Sequence, residues 1–426
     1  MINKSVYGII LTIVLLLMLL IVPASANPQT ETPLSEFRGE PLPDSVIISE
    51  LELNSVSPAV AYNSQQDHYL VIWSNDRPGN DDIQAQRIDK NGQLLGGKFY
   101  IAAGSGHDRR YPDVAYDSIN DQYLVVWQNY DNASMVPGYG IHAKLVPGSG
   151  GVADPSSATD IIIRSKGGNL YTPGKPAVAY GSTDKKFLVV WSETWHPSPL
   201  QKDILGQMIA ANGSLQGAQL TISNDPGTGD YREAPDVAYN RFINRFLVVF
   251  EQRYSKYSLW GISGQHVSGP GVLHGSNFQI HYESSSGLTP KVASSPTNVG
   301  EISFLVTFKL LYSSTSHIRY NVIKNDGSVE IKGYVTSTPD EKNPVVASNE
   351  KYNEYLVTWT QPNLVESATW DSIFGQNISS DGNKFGQKSY IWGIKSMTSD
   401  VAAGHDGKYL VVYDDYWLPN SYISGT

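Results

Sequence analysis

A single phrase recurs along most of this 426-residue chain. Each copy opens with a short stretch of the type Pro-x-Val-Ala-Tyr, passes through a polar turn, and ends in a stretch of the type Tyr/Phe-Leu-Val-Val-Trp. The first valine returns after 54 to 64 residues, and the copies occupy residues 58–73, 112–127, 176–191, 235–250, 290–308, 344–359 and 399–413. A repeating unit of this length cannot bury its apolar face alone, so neighbouring copies must pack together.

Each of the first six repeats holds four short segments rich in β-branched and aromatic residues. The second segment is apolar at nearly every position, as in residues 123–127, which suits a strand buried on both faces. Asn-Gly or Asp-Gly often separates the third and fourth segments, as hairpins require. Radial repetition of four-stranded antiparallel units is a β-propeller. The sequence therefore predicts an all-β, seven-bladed β-propeller over residues 45–426.

The two ends of the repeat array complement each other. The last repeat supplies only three segments, the third beginning at residue 422, whereas an extra apolar segment at residues 45–48 precedes the first repeat. We expect this N-terminal strand to complete the last blade and close the ring, because closure removes open sheet edges. The alternative, an open array of blades, would leave two bare edges.

The N-terminus has the composition of a secretory signal peptide. Lys4 precedes an apolar run at residues 8–22, and Ala-Ser-Ala follows at residues 24–26. We predict a signal peptide over residues 1–26 cleaved after Ala26, a Pro-rich linker over residues 27–44, and a secreted or cell-surface protein. An uncleaved membrane anchor is the alternative, although the run is shorter than the roughly 20 residues of a spanning helix.

Charge and cysteine content limit the partners. The chain has no cysteine, so burial and backbone pairing must hold an exported fold together. Loss of residues 1–26 leaves 30 basic and 41 acidic residues, a net charge of about −11, which repels nucleic acid and anionic lipid. We expect a monomer without cofactor, metal, nucleic-acid partner or membrane contact after signal cleavage. No zinc-binding histidine spacing, nucleophile elbow or phosphate loop occurs in the sequence.

Charged residues recur where the first strand of a repeat should approach the propeller axis. We predict a cluster at the channel mouth from the residue after the strand-opening proline and from the connection before it: Asp113, Asp236, Asp400, Lys291, Arg109 and Arg232. The three aspartates are candidate catalytic residues, because two carboxyl groups about 5 to 9.5 Å apart can cleave a glycosidic bond. The alternative is structural: each carboxylate accepts backbone N–H bonds or pairs with an arginine.

Aromatic residues concentrate in the connections between the second and third strands, on the same face. The candidate ligand-binding residues are Trp195, His196, Tyr257, Trp260, Trp370 and Trp417. Exposed tryptophan and tyrosine rings stack on sugars or anchor a protein partner. The alternative is that these rings fold inward and cap the blade interfaces.

The alternation of Val-Ala-Tyr and Leu-Val-Val-Trp strands resembles that of secreted prokaryotic β-propeller repeat proteins. The resemblance covers residues 45–426 and implies the fold, but no particular activity. From the sequence we favour a non-catalytic binding or adhesion module that recognises a polysaccharide or surface protein. A carbohydrate-active hydrolase or lyase using the three aspartates, and a structural envelope component, remain alternatives.

Overall fold

All regular structure in the described part of the chain is β-structure. The computed structural model describes residues 46–49, 55–75, 80–134, 137–152, 160–165, 171–195, 201–224, 230–254, 259–282, 285–298, 300–336, 338–365, 368–393, 398–415 and 422–425. Within these ranges every regular element is a strand, which confirms the all-β prediction. The signal peptide and linker predicted over residues 1–44 lie outside the described residues.

The strands number 28 in the described ranges. They are β1 (Val46–Ile47), β2 (Ser55–Asn63), β3 (His68–Asn75), β4 (Asp82–Asp89), β5 (Leu94–Ala102), β6 (His107–Asp117), β7 (Gln122–Asp131), β8 (Gly138–Pro147), β9 (Ile161–Arg164), β10 (Tyr171–Gly181), β11 (Lys186–Trp195), β12 (Gln201–Ala210), β13 (Leu215–Ser223), β14 (Tyr231–Asn240), β15 (Arg245–Tyr254), β16 (Leu259–Ser268), β17 (Leu273–His281), β18 (Ser286–Ser294), β19 (Ile302–Leu311), β20 (Ser316–Lys324), β21 (Val329–Tyr334), β22 (Lys342–Asn349), β23 (Glu354–Val365), β24 (Ala368–Ser379), β25 (Lys384–Gly393), β26 (Ser399–Ala403), β27 (Tyr409–Asp415) and β28 (Tyr422–Gly425).

These strands form sheets that follow the sequence repeats. Four-stranded antiparallel sheets are formed by β2–β5, β6–β9, β18–β21 and β22–β25, and a further one has the order β1-β28-β27-β26. An eight-stranded sheet contains β10–β17, where a single parallel pair, Lys202 with Tyr231, joins β12 to β14. The arrangement is that of a β-propeller, as the sequence predicts.

Apolar side chains fill the spaces between successive sheets. The first strands of successive repeats contact each other in chain order, from β2 through β6, β10, β14, β18 and β22 to β26, and β26 contacts β2. The second strands are buried on both faces, and Trp73, Trp127, Trp191 and Trp359 are inaccessible to solvent. One cluster packs Leu410 and Val412 of β27 against Val60 and Trp73 of the first repeat.

The first and last strands pair as predicted from the chain ends. Val46 lies opposite Gly425 and Ile47 opposite Ser424, so β1 is the outer strand of the sheet that contains β26–β28. The neighbouring Ile48 is buried in the cluster that contains Leu410 and Val412. The pairing gives β28 a partner on its outer side and covers that strand's edge.

The prediction that proline opens the first strand is wrong. β6 begins at His107, ahead of Pro112, and its pairing with β7 shifts between Arg110 and Asp113. Proline is tolerated there because a bulge needs no ladder donor. The residue before the proline has a positive φ of 49° to 54° in five repeats, at Ser57, Tyr111, Ala234, Thr289 and Asn343. These bulges turn the start of the strand relative to the rest of it.

Candidate functional site

The three candidate aspartates connect neighbouring repeats. In each case one carboxylate oxygen accepts a hydrogen bond from a backbone N–H in the first strand of the following repeat. These bonds join Val178 N to Asp113 Oδ2 (2.8 Å), Val292 N to Asp236 Oδ2 (2.9 Å), and Val60 N to Asp400 Oδ2 (2.8 Å). The carboxylates therefore satisfy backbone donors between sheets, a variant of the structural alternative in which the partner strand belongs to the next repeat.

Lysine side chains balance these carboxylates. Lys291 Nζ lies 3.0 Å from Asp236 Oδ1, and the Lys291 side chain is 32% exposed. Burial opposes the charge on Lys291, but Asp236, Asp113 and Asp400 outweigh it and raise its pKa. Desolvation and the nearby charge of Lys291 lower the pKa of Lys175, although this residue is exposed to solvent. We call Asp113, Asp236, Asp400, Lys291 and Lys175 the central charge cluster.

Asp113 has the most unusual protonation in this cluster. Burial raises the pKa of its carboxyl group to about 7, Lys291 opposes the rise, and the negative charges of Asp400 and Asp236 add to it. Burial likewise raises the pKa of Asp400. A carboxyl group that keeps its proton near neutral pH can donate it to a leaving group. The cluster thus contains one group with the protonation of a general acid.

Arg109 and Arg232 have other partners than these carboxylates. Because β6 begins at His107, Arg109 lies in a strand rather than in a connection. Its buried guanidinium donates to the carbonyl oxygens of Asp81, Gly104 and Ala103 at 3.0 to 3.2 Å and lies 3.5 Å from Asp82 Oδ1. Arg232 lies in β14, is buried, and contacts the Asp230 carbonyl oxygen at 3.5 Å. The earlier start of the strands explains both placements.

Trp195 forms an exposed aromatic platform with Tyr171. Trp195 ends β11 and lies opposite Tyr171, the first residue of β10. The ring planes differ by 7° and the centroids are 6.3 Å apart, while Trp195 remains 41% exposed. Glu193 and Asp203 line a cavity of about 110 Å³ beside these rings. We refer to Tyr171 and Trp195 as the aromatic platform.

Arg164 contacts both Glu193 and the Tyr171 ring of the platform. Arg164 donates from Nε and a terminal nitrogen to the two carboxylate oxygens of Glu193, at 2.6 and 2.8 Å. Its guanidinium carbon lies 5.1 Å from the centre of the Tyr171 ring. A bidentate pair and a cation–π contact both restrict side-chain rotation. Arg164 therefore restricts the Tyr171 ring of the platform.

The other candidate aromatic residues lie in strands or outside the described residues. Trp260 is half-buried in β16, with its backbone N–H 3.4 Å from Ser286 Oγ. Trp370 belongs to β24, whose hairpin with β23 stays paired as far as Val365 and Ala368, so the expected loop is an extended hairpin. β-branched and aromatic residues favour such continued strand pairing. His196, Tyr257 and Trp417 fall outside the described residues.

Sequence reasoning missed three residues of these sites: Tyr171, Glu193 and Lys175. Tyr171 lies 24 positions before Trp195 in the chain and becomes its neighbour only through the β10–β11 register, which shifts between Pro173 and Pro176. Knowledge of that bulge would have placed the two rings opposite each other. Lys175 precedes the repeat proline, so the same register would have brought it near the aspartates.

The described residues contain neither a metal-binding group nor a membrane-spanning helix. No group of three or more histidine, aspartate or glutamate side chains is arranged to hold a metal ion in the described part of the chain. No helix with the length and apolarity of a membrane span occurs in the same residues.

Comparison with known proteins supports the fold. No protein-family model matches the chain, and no curated protein matches it in sequence. Its structure is similar to that of a polysaccharide lyase, Uly1, with a TM-score of 0.50 and 9% identity over 86% of this chain and 89% of that chain. An endo-arabinase from Bacteroides thetaiotaomicron has a TM-score of 0.37 and 13% identity over 67% of this chain and 96% of that one. For a Hadza microbial sialidase, Hz136, the values are 0.48 and 10%, over 84% and 75%. The similarity to the lyase supports the propeller arrangement.

Proposed function

We propose that this protein is a secreted or cell-surface, non-catalytic binding module that holds a glycan or a surface protein against its aromatic platform. The observation that carries the proposal is the exposed Tyr171–Trp195 pair beside a cavity lined by Glu193 and Asp203. Aromatic faces stack on the apolar faces of sugar rings, and carboxylates accept bonds from sugar hydroxyls. Because Arg164 already restricts the Tyr171 ring, that ring loses little side-chain entropy when a ligand binds.

The contacts of the central aspartates favour binding over catalysis. Asp113, Asp236 and Asp400 each hold a backbone N–H of a neighbouring strand, and Asp236 also pairs with Lys291. A catalytic pair needs one carboxyl group to protonate the leaving group and another to act on the opposite face of the sugar. Carboxylates that accept hydrogen bonds from backbone N–H groups of the next repeat stabilise the fold.

We further propose that the ring has seven blades and is closed by β1. The continuous chain of contacts among the first strands, with β26 against β2, supports closure. The single parallel pair in the eight-stranded sheet supports its division into β10–β13 and β14–β17. The pairing of β1 with β28 supports a last blade built from both chain ends.

Export is the remaining part of the proposal. It rests on the positive residue, apolar run and Ala-Ser-Ala site within residues 1–26. The mature protein would begin at Asn27 and act as a monomer. Intact mass of the protein recovered from culture medium tests this, and recovery only in a membrane fraction with residues 8–22 still attached would contradict it.

Replacement of the platform residues tests the binding function. We expect Trp195→Ala combined with Tyr171→Ala to weaken retention on a purified polysaccharide or cell-wall fraction at least tenfold, because each stacking contact contributes on the order of 1 kcal/mol beyond area burial. The matched control is Phe242→Ala, an exposed ring in the turn at the other end of the strands. Retention is measured by affinity electrophoresis and on a glycan array, and an unchanged retention of the double variant would contradict the proposal.

A second candidate, a carbohydrate-active hydrolase or lyase, is favoured by the pKa of about 7 at Asp113. Asp113→Asn separates the two, because the amide oxygen can still accept the Val178 N–H bond but the side chain cannot supply a proton. A hydrolase would lose release of reducing ends, whereas a binding module would keep its affinity. Cleavage of a polysaccharide by the unmodified protein, with no retention on any glycan or cell-wall fraction, would replace the first proposal with the second.

A further inference from the structure

A second cavity lies at the ends of strands β6 to β9. Its volume is about 190 Å³, and its lining includes His107, Asp131, Gly138, Gly140, His142 and Ser165. None of these residues belongs to the central charge cluster or the platform. His107 and Asp131 occupy in β6 and β7 the positions that Tyr171 and Trp195 occupy in β10 and β11 of the next repeat.

Two glycines line this cavity. Gly138 pairs with Asp131, and Gly140 pairs with Asn129, so both glycines face the same side of the β7–β8 pair. A Cβ atom at Gly140 would lie 2.7 Å from the carbonyl oxygen of Arg164. Close approach of the Arg164 backbone therefore requires glycine at position 140.

The two imidazole rings at the cavity are fixed in complementary tautomers. His142 Nδ1 donates to Asp160 Oδ2 at 3.1 Å, since a carboxylate can only accept, and in the neutral ring this makes Nε2 an acceptor. That Nε2 lies 3.4 Å from the position of a Cβ on Gly140, next to the open space. His107 Nδ1 accepts from Asn129 Nδ2 at 3.2 Å, which leaves its Nε2–H as a donor. The cavity thus has one fixed donor and one fixed acceptor.

Residues at the end of strand β9 contact both the cavity and the platform. Ser165 lines the cavity, while the adjacent Arg164 holds Glu193, which lines the cavity beside the platform. Two consecutive residues thus contact the two features, Ser165 the cavity and Arg164 the Tyr171 ring of the platform.

We propose that this cavity binds one uncharged sugar ring, the terminal residue of a glycan whose following residues lie on the aromatic platform. This inference rests on the proposed binding function and extends it. The volume is below the roughly 300–1,000 Å³ of cavities for larger ligands, which favours a single ring. Among the described residues that line it, Asp131 carries a carboxylate and none is a lysine or arginine, so an anionic sugar is disfavoured.

The test uses methyl glycosides of glucose, galactose, mannose, xylose and arabinose, with methyl glucuronide as the charged comparison. We expect at least one neutral glycoside to bind by saturation-transfer NMR and to shift the imidazole nitrogen signals of His107 and His142. His107→Ala and His142→Gln should each weaken that binding at least tenfold. His274→Ala is the matched control, because His274 is an exposed histidine on β17.

The outcomes separate this inference from the proposed function. One outcome is that the platform variants lose polysaccharide retention while His107→Ala and His142→Gln bind the neutral glycosides as tightly as the unmodified protein does. In that case the cavity inference is wrong and the binding function stands. Absence of any imidazole shift in the unmodified protein with every neutral glycoside also overturns the inference, whether or not the variants fold. Stronger binding of the glucuronide than of the neutral glycosides overturns it as well.

Discussion

At the scale of single residues, one asparagine position in the repeat stabilises its own turn and the next repeat together. Asn63 Oδ1 accepts from the backbone N–H groups of Gln65 and Gln66 at 2.9 and 2.8 Å, and its Nδ2 donates to Asp121 Oδ1 at 2.8 Å. Asn240 and Asn349 repeat the arrangement, donating to the carbonyl oxygens of Ser303 and Gly407. Short polar side chains thus link neighbouring repeats at both ends of the first strand. Asparagines such as Asn63 act at one end, and aspartates such as Asp113 act at the other.

A buried glutamate makes stability depend on pH. Glu341 is inaccessible to solvent, accepts from Ile318 N at 2.8 Å, and also accepts from the Thr336 hydroxyl. Burial raises its pKa from 4.5 to about 7, against the opposing backbone bond and lysine charges. The folded state holds this proton more tightly than the unfolded state does. Its contribution to stability is therefore complete below about pH 4.5 and is lost as pH rises through about 7.

We predict that Glu341→Gln reduces the loss of stability between pH 5 and pH 8. The amide mimics the protonated carboxyl group but does not titrate, so a contribution of up to about 3 kcal/mol should no longer vary. Unfolding by urea at both pH values measures the change. Glu301→Gln is the control, because that side chain is 78% exposed. An equal pH dependence in the unmodified protein and Glu341→Gln would show that this carboxyl group is ionised in the fold.

At the scale of strands, a glutamine in the third strand fixes the bulge between the third and fourth strands. Gln265 Nε2 donates to the carbonyl oxygens of His266, His274 and Gly275 at 2.9 to 3.2 Å. The corresponding amides of Gln86, Gln207 and Gln376 donate in the same way. The bulge leaves carbonyl groups without ladder partners, and the buried amide satisfies them. The recurring glutamine in the sequence has this structural cause.

We expect Gln265→Ala to destabilise the protein by about 1–3 kcal/mol, because several buried carbonyl groups would lose their donor. Asn277 Nδ2, 2.6 Å from Gln265 Oε1, would lose one of its two acceptors and keep the Ile222 carbonyl oxygen. Thermal unfolding followed by near-UV circular dichroism measures the effect. Gln93→Ala, an exposed glutamine in the turn after β4, should leave the melting temperature unchanged. If both variants melt alike, the amide does not stabilise the bulge.

At the scale of the whole molecule, the sequence is sufficient for the fold but not for the site. Buried second strands such as residues 123–127 are apolar throughout, and the repeat returns them at similar intervals, so strands and the propeller arrangement follow from pattern alone. The pairing of Tyr171 with Trp195 and the bond from Val178 to Asp113 depend on bulges and on packing between repeats. Local sequence does not specify such register shifts, which is why the strands were expected to start at proline.

The proposed closure of the ring depends on the pairing of β1 with β28, and β1 is only two residues long. Ile48, just after it, is 2% exposed and packs with Leu410 and Val412, whereas Ile47 is 39% exposed. The two isoleucines thus lie on opposite sides of the strand and provide a matched pair. A charge at Ile48 would be buried among apolar side chains, while a charge at Ile47 would remain in solvent.

We therefore predict that Ile48→Asp lowers stability by several kcal/mol, because it removes buried apolar area and buries a carboxyl group without a partner. Ile47→Asp should change the free energy of unfolding by less than about 0.5 kcal/mol. Deletion of residues up to 54 should match or exceed the effect of Ile48→Asp, since strand pairing and burial are lost together. Urea unfolding of the three variants measures these changes. If the chain that begins at Ser55 unfolds at the same urea concentration as the unmodified protein, β1 contributes nothing to closure, and the ring must be held by the contact of β26 with β2 alone.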